Sequence, residues 1–528
     1  MTGERARLPS ETVAAEAARG GSLKYGIGGW SVTVVTKRLL DQVEVLEIRG
    51  ELPAQIEALA YDSRKVASGT CFIALRGTRT DGHHFLSAAE TAGAAVAVVE
   101  EIPRDLSIPC VRVRDTLATM PMLAAEFFGH PAHDMTLAGF TGTNGKTSST
   151  YLLEAIWAAA GIPSAVIGTI QYRWRDRALK APNTTPLALD LHGLLHDIRE
   201  DGVRHVALEV SSHGLVLHRV DGLLFQAAAF TNLSPEHLDF HRDLEDYREA
   251  KAVLFESHLE ADGTGVINTD DPHGQIIYER LPGGRRLSFG LDAGVDITAE
   301  GIQLEPEESI FDLKTPSWSR TLRSPHVGEH NLRNMLGAAG MGIALGLSED
   351  AVVQGLEAET TVPGRLEPIE NSRGARILVD FAHTPDGLFQ VLSSLNALPH
   401  RRIITVFGCG GDRDRSKRPL MGGIAQRHSD LAILTSDNPR TEDPLGIIGE
   451  VVAGMDDDEG SYEIVPDRRE AIARALDLVG EGDFLLVAGK GHETMQILGT
   501  ELHHFDDRTV VKEILAEIDG DASPEEKP

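Results

Sequence analysis

Thr136-Leu137-Ala138-Gly139-Phe140-Thr141-Gly142-Thr143-Asn144-Gly145-Lys146-Thr147 is the stretch that decides the fold. Thr136–Phe140 reads as a buried strand, and it runs straight into a glycine-rich turn and a helix expected to start near Lys146. Glycines let backbone N–H groups turn inward on phosphate oxygens, and the helix N-terminus adds the positive end of its dipole. In such a loop Lys146 reaches the terminal phosphates and the Thr147 hydroxyl ligates Mg²⁺. The expected cradle is Gly142, Thr143, Asn144, Gly145, Lys146, Thr147 and Ser148. The strict spacing asks for Gly where Phe140 stands, so this is a variant loop. An ordinary glycine-rich strand-to-helix turn is the plain alternative. The strand, the Lys-Thr pair and the helix taken together favour nucleotide binding.

Outward from this loop, short apolar runs alternate with helical patterns, which argues for α/β architecture with parallel sheets and crossover helices. At 528 residues, and roughly 150 residues per domain, three or four domains are expected. Residues 1–30, rich in Ala, Gly, Glu and Arg without periodicity, read as a mobile extension, and 519–528 as a tail. A first block, 31–134, carries strands Thr70–Leu75 and Ala94–Val99. A second, 135–363, continues through Val206–Val210, Ala227–Thr231 and Gly265–Asn268. A third, 364–518, has strands Ile377–Asp380, Ile403–Phe407, Leu431–Thr435 and Phe484–Ala488, each ending in a polar or Gly-, Pro- or Asp-rich motif. In open α/β sheets ligands bind beyond the carboxyl ends of the strands, so motifs gathered there point to a site.

Composition excludes several classes. The formal net charge is −30, from 80 acidic and 50 basic residues, and such a surface repels nucleic acid. Solubility is the plain reading of the acidity, and adaptation to a salty cytoplasm the sharper one. Cys71, Cys110 and Cys409 are too few and too far apart for a disulfide framework or a cysteine zinc site, which fits a reducing cytosol. The stretch after Arg5 and Arg7 is broken by Glu11 and Glu16 and lacks a signal-peptide core, and no apolar run reaches membrane-spanning length. The expectation is a cytoplasmic enzyme of small-molecule substrates, without nucleic-acid or membrane partners.

Further motifs follow in order. They are Asn183-Thr184-Thr185-Pro186, Glu209-Val210-Ser211-Ser212-His213, Asn232-Leu233 with His237-Leu238-Asp239, and Ala250-Lys251. Gly328, Asn331, Asn334 and Pro363-Gly364-Arg365 come next. The third block adds Ala382-His383-Thr384-Pro385-Asp386, Gly410-Gly411-Asp412-Arg413-Asp414, Asp437-Asn438-Pro439-Arg440 and Gly489-Lys490-Gly491-His492-Glu493. From about residue 55 to 515 this series, with Thr141 to Thr147, resembles the Mur ligase family, and within it the diaminopimelate-adding members.

The resemblance implies three domains: a small α/β UDP-binding domain, a central P-loop-type ATPase sheet and a Rossmann-like C-terminal domain. It implies an ATP-dependent ligase, expected to be a monomer. The ligase activates a carboxylate as an acyl phosphate, which an incoming amine displaces. The implied substrates are ATP, a UDP-muramoyl dipeptide and meso-diaminopimelate. Two Mg²⁺ ions are implied, held by Thr147, Glu209, His237 and a Lys251 carbamate, with Lys146, Lys251, Glu209 and His237 carrying the chemistry. Carbamylation needs a neutral amine, so the site must depress the Lys251 pKa. On the residues alone, Glu209 reads equally as a helix cap, His237 as a structural histidine and Lys251 as a helix lysine lying along apolar surface. Glu236 stands where many relatives carry Asp.

Asn331 resembles the adenine-contacting residue, with helix capping as its alternative, and Arg365 is expected to meet phosphate. Asp380 and His383 are expected at ribose or in the cleft wall. Ser63, within Asp62-Ser63-Arg64, and Asp81-Gly82-His83 resemble the uridine site, while Asn183, Thr184, Thr185, Ser211 and Arg219 are implied contacts of the UDP-linked precursor. Leu217 replaces a common Gln, and Arg242 a common Gly. Arg413, Asp437, Asn438, Pro439, Arg440, Gly489 and Glu493 are the implied amino-acid pocket. Diaminopimelate differs from lysine by a distal carboxylate, and a planar guanidinium at Arg440 binds a carboxylate bidentately. Asn-Pro also favours plain turns. A lysine-adding ligase, a folate polyglutamate ligase and a P-loop motor are the competing readings.

Overall fold

The computed structural model describes residues 32–77, 80–282, 285–456 and 461–521. The expected extension, 1–30, and residues 522–528 lie outside them. The expected tail starts too early, because the closing helix Asp507–Asp521 carries residues 519–521. The chain forms two compact units: Met1–Thr298 with Leu336–Gly355, and Ala299–Met335 with Leu356–Pro528.

In the first unit a five-stranded sheet runs Glu47–Arg49, Cys110–Arg112, Val96–Val99, Thr70–Ile73, Ala58–Ala60, parallel except for its first pair. An eight-stranded sheet follows. At its middle Thr136–Thr141 lies between His205–Glu209 and Phe225–Phe230, parallel to both. The register pairs Glu209 with Phe140 and Phe230 with Thr141, so three strands end side by side. Leu137, Ala138 and Phe140 are fully buried because helices cover both faces, which is why this strand reads as a continuous apolar run. Phe140 is thereby explained: it is still strand, and its burial contributes about 1.5–3 kcal/mol that a glycine would forfeit. The helix Ala188–Glu200 packs on Thr116–Phe127, and Leu187, Ala188 and Leu189 join the core of the five-stranded sheet. One edge of the large sheet is an antiparallel pair, Gln171–Trp174 with Arg177–Lys180.

The second unit is built on a six-stranded sheet: Glu367–Ile369, Arg376–Asp380, Phe484–Ala488, Ile403–Phe407, Leu431–Leu434, Ser461–Ile464. Only the first pair is antiparallel. Helices Pro385–Asn396, Lys417–His428 and Pro444–Val452 cover one face, and Arg468–Leu478 and Asp507–Asp521 the other. Arg468 and Asp507 form a fully buried ion pair, and Arg468 also donates to the Ala488 carbonyl, 2.9 Å away, fixing the strand end that precedes Gly489. Residues 299–335 group here although the sequence suggests a boundary at 363. Leu304 packs on this core, Arg376 meets Glu307, and the His330 ring bonds Ser394.

Candidate active site

In the first unit Gly142 has φ 147°, and a Cβ there would sit 1.9 Å from the Thr231 hydroxyl, so only glycine passes. Gly145 has φ 87° and directly precedes the helix Lys146–Ala159. The loop is held from the next strand end. Asn232 accepts the Asn144 N–H on Oδ1 and the Thr143 N–H on its carbonyl, both at 2.9 Å. The Lys146 ammonium donates to the Gly142 and Thr143 carbonyls at 2.8 and 2.9 Å, keeping its charge at the loop.

Glu209, 1% exposed, ends the neighbouring strand. Its carboxylate accepts the Thr147 hydroxyl at 3.0 Å, the Thr169 N–H at 2.9 Å and the Thr169 hydroxyl at 2.8 Å. A Cβ on Gly168 would meet Glu209 Oε1 at 2.1 Å. Gly168 and Thr169 therefore orient Glu209, and sequence reasoning missed both, because they sit in a strand-end turn with no motif. The Thr147–Glu209 oxygen set suits a hard cation. Among the described residues no group of three or more His, Cys, Asp or Glu is gathered for a metal. Few protein ligands suit Mg²⁺, which keeps waters and substrate phosphates.

Lys251, 1% exposed in helix Leu244–Ser257, donates to the same Gly142 carbonyl at 2.9 Å and lies 4.3 Å from the Tyr247 ring centroid. Burial, with the Lys146 charge nearby, pushes its pKa well below the usual lysine value. A Lys251 neutral at ordinary pH is what carbamylation requires. His237 adopts φ 57°, a conformation rare outside glycine, and its ring stands edge-on to His213 at 4.8 Å between centroids. Its side chain is 42% exposed, so the ring is reachable. Strain of this kind collects at functional sites.

The implied precursor contacts cluster at the same end. Thr185 donates to the Glu209 carbonyl at 2.8 Å and shares a hydrogen bond with Ser211 at 3.0 Å. Arg219 donates to the Thr185 carbonyl at 2.8 Å, Thr184 meets Thr169 at 3.1 Å, and Tyr172 holds the Asn183 carbonyl at 2.6 Å. Leu217 is buried at the end of helix Ser212–Val216, so an apolar side chain suits this position. Arg242 pairs with Asp246. In the first sheet Ser63 opens a short 3₁₀ turn capped by Asp62, and Asp81 caps the next such turn at His83.

Asn331 and Arg365 belong to the second unit. The Asn331 amide donates to Val327 O at 3.0 Å and its oxygen accepts from Asn334, so it serves its own helix start. The Arg365 guanidinium stacks 4.7 Å from the Phe381 ring centroid. Asp380 accepts the Leu366 and Ala382 N–H groups, both at 2.7 Å, and so shapes the turn. His383 bonds its neighbour's carbonyl at Phe381.

The amino-acid motifs of the second unit do converge. Asn438 donates to Glu493 at 2.9 Å, and the fully buried Lys490 reaches Glu493, Asn438 and the Met495 carbonyl. Burial and the nearby Asp437 charge raise the Glu493 pKa, a repulsion that a cationic ligand would relieve. A Cβ on Gly489 would lie 2.8 Å from Asp437 Oδ2. Arg440 is half-buried with φ 54°; its backbone is fastened to Ile497 and Gly499, and its guanidinium donates to Gly411 O at 2.7 Å. Arg413 is exposed on the facing loop.

A glycine-rich strand-to-helix loop with a buried lysine beside it, and a second parallel sheet with polar motifs at its strand ends, are the features the comparisons bear on. The Mur ligase middle domain matches residues 140–342, the Mur ligase glutamate ligase domain 364–491, and the Mur ligase family catalytic domain 55–117. The chain belongs to the Mur ligase family, whose members form amide bonds at the expense of ATP. It is 45% identical over 507 residues to the UDP-N-acetylmuramoyl-L-alanyl-D-glutamate–2,6-diaminopimelate ligase of Geobacter metallireducens, covering 91% of this chain and 99% of that one. The enzyme of the same name from Geobacter sulfurreducens is 43% identical over 490 residues, 88% of this chain and 96% of the relative. A solved structure of a ligase of this name aligns with TM-score 0.66 and 32% identity, over 92% of this chain and 99% of that one.

Proposed function

We propose that this chain joins meso-2,6-diaminopimelate to UDP-N-acetylmuramoyl-L-alanyl-D-glutamate with consumption of ATP, in peptidoglycan precursor synthesis. The single observation that carries the substrate is Arg440, half-buried, with its guanidinium donating to Gly411 O and to the carbonyl of Asn438, whose side chain bonds Glu493. Loop amides and Lys146 grip the phosphates while the precursor's carboxylate takes up the terminal phosphoryl group. The amine of diaminopimelate then displaces phosphate. Thr185, Ser211 and Arg219 orient the precursor, with Asn183 and Thr184 beside them; Ser63 serves the uridine end. Asn331 and Arg365 contact the nucleotide. Thr147, Glu209, His237 and a Lys251 carbamate would hold two Mg²⁺ ions, which supply charge neutralisation to the transferring phosphoryl group. Among the described residues no helix is long and apolar enough to cross a membrane, and a cytoplasmic monomer fits the substrates.

Phosphate release tests the reading. It is expected only when ATP, the UDP-muramoyl dipeptide and diaminopimelate are all present. Release from ATP alone would mark a motor and overturn it. Gly168→Ala is expected to lower kcat at least about tenfold, because the Glu209 carboxylate must swing off Thr147. Titrating Mg²⁺ in the assay checks it: the variant should need more metal, and a wild-type titration contradicts the role given to Glu209.

A further inference from the structure

We propose that Arg418 is a positioning residue for amino-acid selection, holding the loops of Arg413 and Arg440 in one register through Glu442. The inference rests on the diaminopimelate reading. Arg418 lies in the first turn of helix Lys417–His428 with no exposed side-chain surface. Its two terminal nitrogens grip the two Glu442 oxygens at 2.9 and 2.8 Å, a fork-to-fork pair. One nitrogen also donates to Glu450 at 2.7 Å, and the other to the Gly410 carbonyl at 3.1 Å.

Glu442 passes the constraint on. Its Oε1 accepts the Asp412 N–H at 2.6 Å, and the Asp412 carboxylate takes the Thr441 hydroxyl at 2.7 Å and the Thr441 N–H at 3.2 Å. Asp412 precedes Arg413, and Thr441 follows Arg440. Both Asp412 and Arg440 are left-handed, with φ 52° and 54°. Non-glycine residues keep that conformation only where their surroundings over-determine it. Apolar side chains would fill the Arg418 site without burying charge, so what the guanidinium contributes is a fixed geometry. Sequence alone hides this, because Lys417-Arg418 after Asp414 reads as a solvated charge run.

The test uses the full chain. Arg418→Lys keeps the charge and loses the fork; Glu442→Gln, at a partly exposed position, is the second variant. Steady-state kinetics should show KM for diaminopimelate raised at least about tenfold, with KM for ATP and for the UDP-dipeptide unchanged. The preference for diaminopimelate over lysine should fall by a similar factor. Wild-type KM and preference in a folded variant overturn the inference, as do parallel changes for all three substrates. Failure of the wild-type chain to use diaminopimelate sinks the underlying reading as well; wild-type use with unaltered variants sinks only this one.

Discussion

Arg440→Ala is expected to cut kcat/KM for diaminopimelate by about 10²- to 10³-fold, mainly through KM. The distal carboxylate of the substrate would lie buried without its partner. Losing one side of a buried, hydrogen-bonded charge pair costs about 2–5 kcal/mol. The Arg440 side chain and backbone are held in place before any substrate binds. The Arg440 backbone is tied to Ile497 and Gly499, and its guanidinium leans on Gly411 O. A Cβ on Gly410 would come 2.9 Å from that guanidinium, so the small residue makes room for it. The same substitution removes nothing lysine needs, so any residual lysine use should be kept or raised. Parallel kinetics with the two amino acids check this, and near-normal diaminopimelate kinetics in the variant overturn the assignment.

Lys251→Arg is expected to lower kcat by about 10³-fold or more. Arginine keeps a positive charge and never offers a neutral amine to attack carbon dioxide. The wild-type side chain is placed for the opposite state: it is buried and lies beside the Lys146 charge, and both disfavour the ammonium. The sign of the pH effect follows. With its pKa depressed, Lys251 offers more neutral amine at a given pH than an ordinary lysine, which favours the carbamate. As pH falls the amine protonates, carbamate is lost, and activity should fall with it and recover on adding bicarbonate at higher pH. Carbon-13 NMR with labelled bicarbonate should give a carbamate signal that Lys251→Arg lacks. An unmodified Lys251 ammonium in a crystal with Mg²⁺ bound would defeat the idea.

What was legible in the sequence follows physical lines. Parallel strands buried on both faces appear as unbroken apolar runs, and Ile403–Phe407 and Phe484–Ala488 were readable to the residue. Strands with one wet face were not. Gln171–Trp174, Arg177–Lys180 and the three-stranded sheet of Thr298–Leu304, Ser309–Lys314 and Ser319–Ser324 carry too many polar residues to stand out. The grouping of 299–335 with the C-terminal sheet depends on contacts such as His330 with Ser394, far apart in sequence. Motifs that meet ligands announce themselves by rare residue types at strand ends. Residues that orient them, such as Gly168 and Thr169 beside Glu209, look ordinary until the chain is folded.

On the proposed function, a guanidinium in the second unit chooses the amino acid by its far carboxylate. Offering the wild-type enzyme equal diaminopimelate and lysine, with ATP and the UDP-muramoyl dipeptide, tests it most directly. The product should carry diaminopimelate, with lysine product at least about 10²-fold rarer. Equal incorporation of the two, or a preference for lysine, contradicts it.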